Sequence, residues 1–358
     1  MSTNKQPHLQ GTRRRKVLAF ISAMAVGSAL PGVLAAQQAP ARRFVIPDDR
    51  FGRLFPELRP FAEPSPRLND ALMELGRPGG LLDARDDLAA GPVRLITDLG
   101  LSVNNPNNPA QTAGTTFMGQ FMDHDMTFDL TSRLGRPAKP RTSPNARTPA
   151  FDLDSVYGGG PLASPELYMA GGGQGQARPT KFKVEQGGRF EDLPRNPRTM
   201  AALIADPRND ENLMLGGLHT ALLLFHNKMV DLIVADGRSG SDDLFDRARE
   251  LTTWHYQWMI LHEFLPLFVG QAVVDEILQR GRKFYRPDTG LIPVEFQAAA
   301  YRFGHSLVRP SYRANLAGDE NDQPFFGMIF DPAGDGSNDP VDLRGGARAR
   351  RRFIGWQT

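Results

Sequence analysis

Apolar residues recur at three- and four-residue steps through MLGGLHTALLLFHNKMVDLIVADG, where Leu215, Leu218, Leu222, Phe225, Met229 and Ile233 trace one stripe. That period belongs to an α-helix, and Gly237 is suited to end it. A second helical pattern covers DDLFDRARELTTWHYQWMILHEFLPLFVG, starting near Ser241 or Asp242 and disturbed at Pro266. A third spans PVEFQAAAYRFGHSLVRP, with Pro293 early, where the first turn tolerates it, and Pro310 past its end. TTFMGQFMDHDMTF fits a helix as well, and period-two alternation is scarce. The pattern predicts a mainly α fold with long irregular connections, among them the Gly- and Pro-rich stretches 132–150 and 158–181.

Two N-terminal stretches depart from this pattern. Residues 1–36 carry five basic side chains and no acid, then the apolar run VLAFISAMAVGSALPGVLAA with small residues near Ala35 and Ala36. This is the layout of an export signal, and RRRKVL is twin-arginine-like. The competing reading is an uncleaved membrane anchor, against which Pro31 and the small residues argue. Residues 37–70, rich in proline and charge, read as an extended arm, leaving 71–358 as the main domain. No later segment is expected to be long and apolar enough to span a membrane, and the mature protein is expected not to be membrane-embedded.

Composition changes the picture in two places. Removing the five basic residues of the signal from the 42 in the chain leaves 37 against 40 acids, a charge of about −3. The basic balance of the whole chain therefore gives no reason to expect a nucleic-acid partner. The chain has no cysteine, which excludes disulfides, thiolate metal sites and thioether-attached haem, so metal chemistry falls to histidine and carboxylates.

Four constellations could carry such chemistry. In GQFMDHDMTFD, Asp123, His124 and Asp125 are consecutive, and on a helix each residue turns about 100° from the last. Three such neighbours cannot converge on one small ion, and a buried histidine between two solvated carboxylates fits the spacing equally well. In RTPAFDLDSVYG, Thr148, Asp152 and Asp154 offer hard oxygen ligands suited to calcium, although a plain acidic turn gives the same pattern. Arg208 and Glu211 precede the long helix, where an acid can simply complement the helix dipole. His305, with Arg302 one turn earlier, lies on a helical stripe where a packed core histidine is the ordinary case.

Taken in order, these four motifs resemble the animal-type haem peroxidase superfamily, the myeloperoxidase-like group found also in bacteria, from about residue 45 to 356. The resemblance implies a haem b cofactor, calcium, and hydrogen peroxide with a small-molecule reductant (halide or aromatic) as partners. It implies His124 as the acid/base residue above the haem, with Gln120 and Arg208 beside it. Asp123 and Glu211 match carboxylates that can form esters to the haem, His305 the axial iron ligand, and Arg302 a propionate partner. Asp125, Thr148, the carbonyl of Ala150, Asp152 and Asp154 match the calcium ligands, with Asp154 standing where the family more often has serine. Asn212 stands where some members carry a haem-bonded methionine, so no sulfonium link is expected. The chain ends at RRFIGWQT, before the further helices and the asparagine that members usually place against the proximal histidine. An incomplete C-terminus is the corresponding expectation.

The residue types also suit peroxide chemistry by themselves. Cleaving an O–O bond needs a base that takes a proton and returns it, and imidazole does both near neutral pH. A fixed guanidinium stabilises the charge on the departing oxygen. Two competing readings remain: a haem-dependent fatty-acid oxygenase, and an inactive secreted haem- or calcium-binding remnant. The oxygenases of the superfamily place a tyrosine three residues before the proximal histidine, where this chain has Arg302; Tyr301 is four before.

Overall fold

A computed structural model describes residues 51–59, 61–104, 106–133, 143–170, 179–186, 190–237, 243–286, 290–318, 323–331, 340–346 and 351–356. The export signal expected at 1–36 and the start of the arm lie outside the described residues. The helices are α1 (Pro66–Gly76), α2 (Pro92–Thr97), α3 (Ala113–Met126), the single turns α4 (Asp154–Tyr157) and α5 (Gly160–Ala163), α6 (Leu213–Asp236), α7 (Leu244–Met259), α8 (Leu265–Val269) and α9 (Gln271–Arg280). Among the described residues two short antiparallel strand pairs accompany them, β1 (Glu185–Gln186) with β2 (Glu191–Asp192), and β3 (Ser311–Asn315) with β4 (Phe325–Met328). The fold is mainly α, as its apolar periodicity predicts.

Helix α6 begins where Asn212 Oδ1 accepts from Leu215 N, and ends at Gly237, whose φ of 68° is the left-handed conformation glycine adopts freely. Its inner face carries Leu215 and Leu223 into a core with Phe121 and Met122 of α3 and Phe245 and Tyr256 of α7. Tyr157 of α4, with Tyr168 and Phe182 from the loops, closes that core. One sequence expectation needs correction here. Helix α6 has 24 residues and a mean hydropathy of 1.2 over its most apolar stretch, enough by length and composition to cross a membrane. Leu215, His219, Leu223, His226, Met229 and Val230 are nonetheless buried within the protein.

The disturbance expected at Pro266 takes a definite form. After α7 the chain widens into a π turn over Ile260–Phe264 before continuing as α8. Proline lacks the N–H for the next ladder bond and crowds the carbonyl of the preceding turn; a wider turn relieves both.

The third expected helix also differs from a regular α-helix. Residues Phe296–Ala300 form a π turn and Tyr301–Leu307 a 3₁₀ helix, with no buried residue in either. Packing therefore does little to enforce α geometry. Instead His305 Nδ1 bonds the carbonyl of Arg302, and Ser306 Oγ donates to that of Phe303, each three residues back. Such contacts favour the tighter turn.

The described end of the arm is tied to this segment. Gly52 N donates to Ile292 O, Val294 N donates to Gly52 O, and Glu295 accepts from Arg53 Nε and Leu54 N. Helix α1, capped by Ser65, starts inside the stretch 37–70. Near the C-terminus the fully buried Arg352 donates to the carbonyls of Pro340, Asp342 and Gly345. It thereby gathers the loop 340–346. Trp356 lies over Gly217, where an added Cβ would come within 3.2 Å of its ring.

Candidate active site

Helix α3 aims its three adjacent polar residues at three different partners. His124 is buried, and its Nδ1 lies 3.0 Å from Oδ1 of the buried Asn209. Its own carbonyl accepts from Arg208 Nη2 at 3.0 Å. Burial, and then the charge of Arg208, hold the imidazole below its ordinary pKa, so it is neutral at neutral pH. Arg208 in turn donates from Nε and Nη2 to Asp206, and its guanidinium lies 4.0 Å from the centre of the Phe128 ring. A cation clamped on two sides is positioned before any ligand arrives.

Beside this pair, Gln120 Nε2 donates to Glu211 Oε2 at 3.0 Å, and Asn212 Nδ2 donates to Gln120 Oε1 at 3.3 Å. Burial raises the pKa of Glu211. The backbone here is fixed by the C-terminal loop: Gly345 N donates to Glu211 O, and Leu213 N to Leu343 O.

Asp125 points away from His124, into the loop before α4. Ser155 Oγ donates to its Oδ1 at 2.8 Å and Leu153 N to its Oδ2 at 3.2 Å. Leu153 has a φ of 62°, an uncommon conformation for a side-chain-bearing residue, and it separates Asp152 from Asp154. Ligand oxygens of Asp125, Asp152 and Asp154 all lie within 4.8 Å of one another. Burial, with the two neighbouring carboxylates adding to it, pushes Asp125 up to about 7. Burial also raises Asp152 and Asp154. Asp154 Oδ2 accepts from Thr148 N and Oγ1, while its Oδ1 is buried without a hydrogen-bond partner. Ala150 is exposed in the same loop, its amide donating to Thr148 O. An acceptor-only cluster with an orphaned oxygen is a donor set for a hard cation.

The 3₁₀ segment meets the outer side of α3. Tyr301 Oη donates to Gly119 O at 2.9 Å, and Arg302 Nη1 lies 3.9 Å from Asp123 Oδ2. Arg302 Nε also donates to Gln297 O. His305 is exposed, with Nδ1 3.0 Å from the carbonyl of Arg302. A carbonyl only accepts, so Nδ1 carries the proton and Nε2 presents a lone pair.

The animal haem peroxidase family model matches residues 131–335, more than half of the chain. The chain belongs to the animal haem peroxidase family. The matched stretch holds the acidic loop, Arg208, Glu211, Arg302 and His305; α3 precedes it. Mouse thyroid peroxidase (Mus musculus) is 25% identical over 229 residues, covering 57% of this chain and 24% of that protein. The dual oxidase of Drosophila melanogaster is 32% identical over 109 residues, 30% of this chain and 7% of that one. Among solved structures, peroxidase A from Dictyostelium discoideum aligns over 65% of this chain and 56% of its own, at 16% identity and a TM-score of 0.44. The chain spans about a quarter or less of the length of the curated relatives it matches.

The family implies haem, and the donor set here suits it. His305 offers an open Nε2, the atom an axial ligand needs, and its Nδ1–H is held by a carbonyl that fixes the ring. Asp123 and Glu211 supply carboxylates, and Arg302 a cation for an acidic edge. Two residues that matter, Asp206 and Asn209, were not singled out by sequence, and Asn212 was noted there only for the methionine that it replaces. Asp206 orients Arg208, Asn209 contacts His124, and Asn212 holds Gln120. Their only structural signal was adjacency to Arg208 and Glu211; their partners are 85 and 92 positions away, or two positions away for Asp206.

Proposed function

We propose that this protein is a haem-dependent peroxidase, reducing hydrogen peroxide and oxidising a small halide or aromatic donor. The observation that carries this reading is the pairing of a buried imidazole with a clamped guanidinium, joined by the 3.0 Å bond from Arg208 to the His124 carbonyl. His305 would hold haem through Nε2, with Arg302 at an acidic edge and Asp123 and Glu211 as the carboxylates able to form esters. Bound haem would supply the iron that takes up peroxide and accepts its oxidising equivalents. His124 takes the proton from the near peroxide oxygen at its unprotonated nitrogen and returns it to the departing one. Arg208 meets the charge that gathers on that departing oxygen, and Gln120, fixed between Glu211 and Asn212, offers a further polar contact. Asp125, Asp152, Asp154, Thr148 and the Ala150 carbonyl would bind calcium and pin α3 to the loop before α4. The first 36 residues would direct export, which N-terminal sequencing of the exported protein would test by starting after Ala36.

The oxygenase reading has less support. Arg302 occupies the place of the required tyrosine, and the Tyr301 hydroxyl is engaged with the carbonyl of Gly119. The test is peroxide-dependent oxidation of an aromatic donor by the haem-loaded chain, monitored with its Soret band. His124→Ala is expected to lower the rate by about 10²–10⁴-fold with the Soret band retained. Near-normal turnover in that variant, or oxygen uptake with a fatty acid and no peroxide turnover, would overturn the assignment.

A further inference from the structure

Asn209 is fully buried, and its amide bridges two imidazoles of distant origin. Its Oδ1 faces His124 Nδ1 at 3.0 Å, and its Nδ2 faces His219 Nδ1 at 3.0 Å. An amide oxygen only accepts and an amide nitrogen only donates. The proton of His124 therefore sits on Nδ1, and Nε2 is left as a bare lone pair. On His219 the order reverses: Nδ1 accepts and Nε2 carries the proton.

We propose that Asn209 is a positioning residue that sets the tautomer of His124, holding its Nε2 open as an acceptor. Free histidine side chains favour the opposite form, with the proton on Nε2. A base must present a lone pair to its substrate, so an unconstrained His124 would spend most of its time in the wrong state. The amide makes the choice, and its other end is held by His219. His219 is fully buried against the ring of Phe121, 6.3 Å between centres, and accepts the amide N–H.

The consequence is visible at the far end of the chain of contacts. His219 Nε2, which must then carry a proton, is buried without a hydrogen-bond partner. It borders a narrow apolar space lined by Val156, Leu167, Phe182, Leu203 and Leu223. A buried unpaired N–H is costly, because its bond to water is lost and not replaced. Turning the amide over would leave an unpaired lone pair there instead, but would put the proton on His124 Nε2. As placed, the amide leaves the open nitrogen at His124 and the unpaired N–H at His219.

This inference rests on the peroxidase reading for its purpose but not for its test. Full-length chain labelled with ¹⁵N, without haem and at a pH where both imidazoles are neutral, gives the tautomer of each histidine from its nitrogen shifts. The expected spectrum has His124 protonated on Nδ1 and His219 on Nε2. Asn209→Leu should move His124 to the Nε2-protonated form. Asn209→Asp, whose carboxylate still accepts, should keep it on Nδ1 while freeing His219. In the haem-loaded chain, Asn209→Leu should slow the reaction with peroxide about 10–100-fold, with the KM for the donor unchanged and Asn209→Asp recovering most of the loss. An Nε2-protonated His124 in the unsubstituted chain overturns the proposal, as does an unchanged tautomer in folded Asn209→Leu. Should Asn209→Leu fail to fold, the unsubstituted and Asn209→Asp spectra still decide it. A chain with the expected tautomers and no peroxidase activity would reject the functional reading alone.

Discussion

Arg147 grips Asp206 twice, from Nε at 2.9 Å and from Nη2 at 2.7 Å, and its Nη1 lies 3.9 Å from Asp154. Asp206 is fully buried and also accepts from Arg208, so one carboxylate joins the acidic loop to the guanidinium beside His124. The acidic loop and the catalytic candidates are one connected structure.

Asp206→Asn should therefore cost about 3–5 kcal/mol, the usual result of removing one member of a buried ion pair. Urea denaturation of the haem-free chain measures it. A loss below about 1 kcal/mol would mean that the two arginines find other partners.

Cation binding should stabilise the chain. Three carboxylates within 4.8 Å repel one another, and one buried oxygen of Asp154 is unpaired. A divalent cation offsets most of the cluster's charge, and at about 100 times its Kd it adds about 2.7 kcal/mol. The midpoint of thermal unfolding should rise with calcium and fall with a chelator. Asp152→Asn should remove the response. A chelator without effect on calcium-loaded protein speaks against the site.

Acid should destabilise the fold through its buried histidines. Burial depresses both His219 and His226 to about 4, well below the usual 6.5. Between those values the unfolded chain binds protons that the folded chain refuses, so stability rises with pH across this window and is lost as pH falls through it. Each group contributes up to about 3 kcal/mol at the far end. Comparing His226→Gln with the unsubstituted chain at pH 7 and pH 4.5 isolates one of them, because the carboxylates titrate in both. Parallel pH profiles would contradict the depressed pKa.

Legibility differed sharply between parts of the molecule. Helix α6 was readable because its stripe and its stop at Gly237 are local signals that its packing reinforces. The segment 296–307 was misjudged in type because periodicity cannot register that no face is buried. At the site, the chemistry of His124, Arg208 and the acidic loop was visible as residue types. Asn209 was not, because an asparagine beside an arginine looks like any polar turn until His124 and His219 are brought to it.

The sequence by itself determined the helical class, the absence of thiol chemistry and the divergent aims of Asp123, His124 and Asp125. A helix turns about 100° per residue whatever surrounds it. Only the tertiary structure decided which partners those side chains meet: Arg302, Asn209 and the loop with Ser155. Partner identity depends on contacts between segments tens to hundreds of residues apart. Burial, which sets both pKa and the cost of an unpaired group, exists only once those segments have closed around the site.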